Sequence, residues 1–539
     1  MKALVIGLDG ATFAVLKPLM QLGYMPHLQK AIARGVSGKL LSTIPPVTAT
    51  AWPTFMTGKN PGKHGVLSWQ GRLNAQFKRP WINGSRIVGL KLWQLASEAG
   101  LRVCVVNVPM TYPPEPLNGV MITGMLTPSL ESEFTYPPEI RRALLRTIPD
   151  YQIDLDVQRI QLNTRNRSAV QRFLDKAIII TKARGKAIRW LLRQERPDLV
   201  TVVFEMPDRL QHILWRYIVE ILSPSDFKDI IAIRQKLLNC YQVLDEEIGS
   251  LIDDLPNDAY LIILSDHGFG PWDTSVHIDE WLAQHGWLAY NFRRFKSREI
   301  LGRLGRQVKS WLPGSLKWKA QRAFPLLSTI EWKRTWAYPG LPTEYGIFLN
   351  VYGREPAGIV KPSDYEKLRT EIIEALREWF DPRTGTPIIK AVYRREEIYT
   401  GPFVAQAPDI IFEFQRGYRM SDLPSYGNLL SDLSHEPWGF HEREGILVMS
   451  GPGIKAGVEF EQAHIQDVMP TLLYALGVPI PDDLDGRVLL EFFDLMWRDK
   501  HYLHTRSSEI KTGLKTTRTY SIKDEMVVIK RLKNLGYLG

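Results

Sequence analysis

Residues 3–10 read ALVIGLDG. Apart from Gly7 the run is apolar from Ala3 to Leu8, with no alternation of polar and apolar positions. That pattern predicts a strand buried on both faces. Asp9 stands where the strand should end, and Gly10 follows. By itself an Asp-Gly step after a strand is a turn. The other reading is that Asp9 holds a ligand.

Similar runs recur at 102–108 (RVCVVNV), 198–205 (DLVTVVFE), 259–268 (AYLIILSDHG), 408–414 (PDIIFEF) and 445–451 (GILVMSG). Helical patterns separate them, such as GLKLWQLASEAG at 89–100. Strand, helix and strand in alternation predict an α/β fold: a doubly wound, mostly parallel sheet flanked by helices. In such sheets ligands gather beyond the carboxyl ends of the strands. Polar residues just after the apolar runs are therefore the candidates for a site.

The candidates come in a consistent set. Asp9 follows the first run. VVFEMPDRLQH carries Asp208 and, four residues on, His212. LIILSDHG carries the adjacent pair Asp266 and His267, and EPWGFHEREGILVMSG places His441 just before a strand. Each has a structural alternative: a turn for Asp9 and for SDHG, a solvated helix-face pair for Asp208 and His212. Together they form a mixed carboxylate and imidazole set, which suits zinc, manganese or similar divalent ions.

A nucleophile is sought in STIPPVTATAWPTFMTGKNPGKHG, residues 42–65. The prolines predict an extended entry and Thr48 or Thr50 then opens a helix. A hydroxyl there sits among free backbone N–H groups that cradle phosphate, and metal coordination activates such a hydroxyl. The alternative is that these threonines only cap the helix.

Composition excludes several classes. The chain has 539 residues, 44% hydrophobic and 23% charged, an ordinary globular balance with length for a large core. Two cysteines, Cys104 and Cys240, leave no disulfide framework and no cysteine-rich zinc site. No apolar run reaches membrane-spanning length, and the first one is too short for a signal peptide. The expectation is a soluble, cytoplasmic protein. The formal charge of +10 favours acidic substrates or anionic surfaces without choosing between them.

The order Asp9, Thr48 ahead of TGKNPGKHG, DRLQH, SDHG and a late GFH resembles the alkaline phosphatase superfamily, in its type I phosphodiesterase/nucleotide pyrophosphatase-like branch. The resemblance runs to about residue 490, and the last residues, RLKNLGYLG, resemble the chain end of many prokaryotic members. It implies two divalent metal ions, zinc with manganese as the alternative. Asp208, His212 and His441 would hold one. Asp9, Asp266 and His267 would hold the other, with Thr48 as a further ligand and as nucleophile. Thr48 is preferred to Thr50 for its distance to TG and to His64-Gly65, and His64 is read as structural.

The implied activity is metal-dependent hydrolysis of phosphoric esters through a covalent phosphothreonine. The alternatives are a phosphomonoesterase, a phosphonate hydrolase, a phospho-group transferase on the same site, or a non-catalytic metal-binding homologue. Two departures are visible. The family's phosphoryl-binding Asn beyond His-Gly is replaced by LSW, with Ser68 and Trp69. The sulfatase signature, Cys or Ser followed by x-Pro-x-Arg, is absent around Thr48.

The expected organisation is a discontinuous catalytic domain over 1–290 and 336–495, a basic amphipathic insertion or cap at 291–335, and a basic tail at 496–539. In the insertion Ile300, Leu304, Val308, Trp311 and Leu312 would share a helical face. The basic segment 293–322 motivates a lipid-linked or otherwise anionic substrate, or contact with an anionic membrane surface. No recognition helix or aromatic-basic interleaving points to nucleic acid.

Overall fold

The structure is a computed structural model that describes residues 1–155, 166–222, 231–291, 326–421, 425, 427–433, 438–508 and 520–534. The basic segment 293–322 therefore lies outside the described residues, save that regular structure is described again from 326.

The chain begins with strands β1 (Ala3–Leu8), β2 (Val36–Leu41), β3 (Val103–Val106), β4 (Gly119–Ile122), β5 (Thr135–Tyr136), β6 (Leu199–Phe204) and β7 (Tyr260–Leu264). It continues with β8 (Gly268–Val276), β9 (Ala337–Pro339), β10 (Gly346–Leu349), β11 (Ile389–Arg394) and β12 (Ile410–Phe414). Then come β13 (Gly417–Met420), β14 (Leu430–Asp432), β15 (Trp438–Glu442), β16 (Glu444–Ser450) and β17 (Val458–His464).

Nine of them form the central sheet, in the order β17-β2-β16-β7-β1-β6-β3-β4-β5. β1 is parallel to β6 and β7, and β3 to β6 and β4. β16 runs antiparallel to β7 and β2, and β5 antiparallel to β4. The sheet is mostly parallel, as the continuous apolar runs predicted. All six residues of β1 and of β6 are buried. Each fully buried Leu, Val or Ile there contributes about 1.5–3 kcal/mol relative to exposure. Helices flank the sheet; the long helix Arg167–Glu195 packs on Ile231–Asp253.

One run departs from the expectation. PDIIFEF becomes β12, which is not in the central sheet. It pairs antiparallel with β10 and β11 in a separate four-stranded sheet. An apolar run reports burial on both faces but not which sheet does the burying. Here Ile410 and Phe412 belong to a second apolar cluster, drawn from residues between Val276 and Phe440.

Cys104 and Cys240 are both buried, and burial pushes both thiols up to about 12. At the far end of the chain the helix Ile522–Asn534 docks Val528 and Leu532 into the main core. Among the described residues no helix is long and apolar enough to cross a membrane.

Candidate metal centre

The sheet topology explains why distant residues meet. β1, β2, β6 and β7 point the same way, so their carboxyl ends share one edge. Asp9, Asp208 and Asp266 follow β1, β6 and β7. β16 runs the opposite way, so the residues before it, His441 among them, reach the same edge. His441 lies on the short strand β15, opposite Phe269 of β8, rather than in a loop.

Local sequence then fixes each side chain. Gly10 adopts φ +68°, and a Cβ there would lie 3.1 Å from Cα of Asp208. Glycine thus permits both the turn and the close approach of the two strand ends. Asp208 sits in the first turn of the helix Met206–Leu222, and His212 one turn later on the same face. Thr48 is the first residue of the helix Thr48–Thr57. Val47 is the N-cap, so Thr48 does not serve as one. Thr50 points elsewhere: its hydroxyl bonds to the Val47 carbonyl at 2.9 Å and to the Thr43 hydroxyl at 2.8 Å.

The seven predicted residues are brought together, all buried. Asp208 Oδ1 lies 3.2 Å from His212 Nε2 and 3.2 Å from His441 Nε2, and the two imidazole nitrogens are 3.0 Å apart. His267 Nε2 lies 3.1 Å from the Thr48 hydroxyl, 3.3 Å from Asp266 Oδ2 and 3.7 Å from Asp9 Oδ1. The two groups adjoin, since the His267 and His441 rings stack at 3.6 Å. Metal-compatible clusters within 4.8 Å are formed by Asp9, Asp266 and His267, and by Asp208, His267 and His441.

The electrostatics call for a cation. Burial pushes the Asp9 carboxyl well above the ordinary carboxylate range, and Asp266 and Asp208 push the same way. Burial likewise raises Asp266, with Asp208 adding to it. Burial also opposes ionisation of Asp208. His212 and Arg209 outweigh it and hold that carboxyl well below its usual range. Burial, reinforced by His267, pushes the His441 imidazole well below its ordinary value, so its ring is neutral.

The donor set fits a metal. His441 Nδ1 lies 3.0 Å from the Pro46 carbonyl and His267 Nδ1 3.1 Å from the Gly268 carbonyl. A carbonyl only accepts, so each Nδ1 carries a proton, and Nε2 is the atom that each ring would offer a metal. Asp9 Oδ1 and Asp266 Oδ2 have no hydrogen-bond donor among the described residues. Buried carboxylate oxygens without a donor are costly in the absence of a cation.

Several supporting residues were not anticipated. Trp52 Nε1 donates to Asp9 Oδ2 at 3.2 Å, and the Gly10 amide donates to Asp266 Oδ1 at 3.2 Å. Arg209, fully buried, contacts Asp208 and forms a fork to Asp154 with both bonds at 3.0 Å. Trp52 was legible as the i+4 neighbour of Thr48, and Arg209 as the neighbour of Asp208. Asp154 carried no sequence signal. His64 accepts from the Val66 amide at Nδ1 (3.2 Å) and therefore donates from Nε2 to the Thr54 hydroxyl (3.0 Å). Burial lowers it to about 3. It bonds within its own turn and to the helix beside it.

The buried carboxylates and imidazoles thus gather at one strand-end edge of an α/β sheet. The description "Type I phosphodiesterase / nucleotide pyrophosphatase" matches residues 3–441, and the chain belongs to that family. Its fold is similar to that of phosphonoacetate hydrolase from Sinorhizobium meliloti 1021 in complex with phosphonoacetate. That likeness has a TM-score of 0.53 at 16% identity over 89% of this chain and 95% of that one. It is also similar to murine ectonucleotide pyrophosphatase / phosphodiesterase 5, with a TM-score of 0.50 at 13% identity over 92% and 100% of the two chains. A stretch of 56 residues is 38% identical to human Arylsulfatase K. It spans only 10% of that relative's length and 10% of this chain.

Proposed function

We propose that the protein is a metal-dependent phosphoric-ester hydrolase that acts on diesters or pyrophosphates ahead of monoesters, with Thr48 as nucleophile. The observation that carries this reading is the Thr48 hydroxyl, 3.1 Å from His267 Nε2, within a buried nest of three carboxylates and three imidazoles. In this reading Asp208, His212 and His441 hold one divalent ion. Asp9, Asp266, His267 and Thr48 hold the other. Zinc fits the nitrogen and oxygen donors, with manganese the alternative.

When bound, two such ions supply positive charge for the attacking and departing oxygens of an in-line displacement. The chain supplies the rest. Thr48 Oγ1 loses its proton and forms a bond to phosphorus as the bond to the leaving oxygen breaks. The Ala49 amide, in the first turn of the helix, has no acceptor one turn back and favours an anionic oxygen there. Pro46 and Gly268 fix the tautomers of His441 and His267. Water entering from the leaving-group side then cleaves the threonine–phosphorus ester, which in the diester case still carries the substrate's second alcohol, and releases a phosphate monoester, or phosphate from a monoester substrate. The absence of Cys/Ser-x-Pro-x-Arg around Thr48 favours phosphoryl over sulfuryl substrates. A small-molecule or lipid-linked phosphate ester is the substrate class, and a cytoplasmic location completes the proposal.

The test is hydrolysis of bis-p-nitrophenyl phosphate and p-nitrophenyl phosphate by zinc- and manganese-loaded protein, wild type against Thr48→Ala. The expected result is turnover by wild type, faster on the diester, and a loss of at least about a thousandfold in Thr48→Ala, comparable to loss of a catalytic nucleophile. Equal rates in the two proteins would refute the role of Thr48.

A further inference from the structure

Behind the nucleophile helix lies a cavity of about 210 Å³, open to solvent on one side. Thr54 lines it, and Thr54 sits about 120° around the helix from Thr48. The cavity is therefore on a different face from the cluster that Thr48 joins. Its walls combine apolar side chains, Ile44, Ile398 and Ile465 among them, with Ser42, Arg443 and His464.

Two polar groups at or behind its wall lack a full complement of partners. Ser42 is 3% exposed, and its hydroxyl has no hydrogen-bond partner among the described residues. Arg443 donates from Nε to the Ser42 carbonyl at 3.2 Å. The nearest carboxylate to its guanidinium among the described residues is Glu413, at 3.9 Å, beyond hydrogen-bond distance. Glu413 already accepts from the Tyr393 hydroxyl at 2.8 Å.

Among the described residues no acidic one lines the cavity. Carboxylates close by are otherwise engaged. Asp485 pairs with Lys63 at 2.7 Å and accepts from Asn60 at 2.8 Å. Asp467 accepts from the His464 and Arg487 amides, both at 3.0 Å. An apolar-walled cavity that carries a guanidinium selects an anion with an apolar body. Its volume is below the roughly 300 Å³ at which drug-sized pockets begin, so the ligand is small.

We infer that this cavity is a second binding site, for a small organic anion. Its acidic group would sit against the Arg443 guanidinium, and its apolar body against Ile44, Ile398 and Ile465. The site is separate from the metal centre. It nevertheless touches elements that carry that centre: Ser42–Ile44 runs into Pro46 and Thr48, and Arg443 follows His441 by two residues.

Calorimetric titration of the metal-loaded protein with hexanoate and with benzoate tests the inference, with hexanol as the uncharged control. The expected result is saturable one-to-one binding of at least one acid, and at least tenfold weaker binding of hexanol. Arg443→Met is expected to weaken the acid at least tenfold, with circular dichroism confirming its fold. Asp266→Ala, which alters the metal centre, is expected to leave it unchanged. Absence of saturable binding by either acid would overturn the site. So would binding indifferent to Arg443→Met, or binding lost in folded Asp266→Ala, which would put the anion on the metal centre instead.

Discussion

His441 Nδ1 donates to the Pro46 carbonyl at 3.0 Å, two residues before Thr48. One hydrogen bond thus ties the imidazole that reaches Asp208 to the segment that delivers the proposed nucleophile. The bond is long-range in sequence, and it sets the tautomer of His441 and the entry of the helix together.

Asp9 is proposed to serve one metal and not the other. Its carboxylate lies 3.7 Å from His267 Nε2, in the group that contains Thr48. Asp9→Ala is expected to halve the metal content measured by plasma mass spectrometry and to leave the Asp208, His212 and His441 group loaded. Retention of full metal content would remove Asp9 from the ligand set.

Arg209 is a buried cation shared by two carboxylates, Asp208 and Asp154. Arg209→Met leaves both buried without their common partner. Removing one member of a buried charge set costs about 3–5 kcal/mol. Urea unfolding of the metal-loaded protein is expected to show a loss of that order, and a loss below about 1 kcal/mol, typical of an exposed pair, would contradict it.

Gly7 makes room for the indole that supports Asp9. A Cβ at Gly7 would lie 2.4 Å from the Trp52 ring and 2.8 Å from Val203. Gly7→Ala must displace Trp52, whose Nε1 donates to Asp9 Oδ2. Overpacking of this kind costs about 1–3 kcal/mol. The expected signature is a lower melting temperature with an altered tryptophan emission spectrum; unchanged values of both would show that the ring is not where the packing requires it.

Asp409 gives the fold a defined acid limb. Burial opposes its ionisation, but hydrogen bonds and charge from Arg354, aided by Arg395, outweigh that and hold the carboxyl below its ordinary range. A carboxyl depressed in the folded state contributes stability above its unfolded pKa, about 3.9. That contribution is lost as pH falls through the lower folded value. Asp409→Asn is therefore expected to be less stable than wild type at neutral pH, with the gap narrowing below about pH 4. Chemical denaturation across pH checks this, and a gap that widens on acidification would contradict it.

Much of this arrangement was legible because it is written locally. A continuous apolar run followed by Asp, or by Asp-His, marks a buried strand and its ligand-bearing end, and Asp9, Asp266 and His267 were found that way. The Asp208–His212 spacing is one helical turn. What escaped was non-local. Nothing in PDIIFEF says that β12 joins a second sheet, because that depends on its partners β10 and β11. Nor does Asp154 announce itself, since its fork to Arg209 exists only once residues 55 apart in sequence meet. The packing of Trp52 against Gly7 is likewise non-local, since it exists only once the helix crosses β1.

The central claim is that Thr48 becomes covalently phosphorylated during turnover. Rapid acid quench of metal-loaded protein with a phosphodiester substrate, followed by peptide mass spectrometry, measures it directly. The account predicts, on the peptide that contains Thr48 and at the Thr48 side chain, a phosphate-ester adduct that retains the substrate's second alcohol, and its loss in Thr48→Ala. Turnover with no adduct at Thr48, or an adduct on another residue that persists in Thr48→Ala, would contradict it.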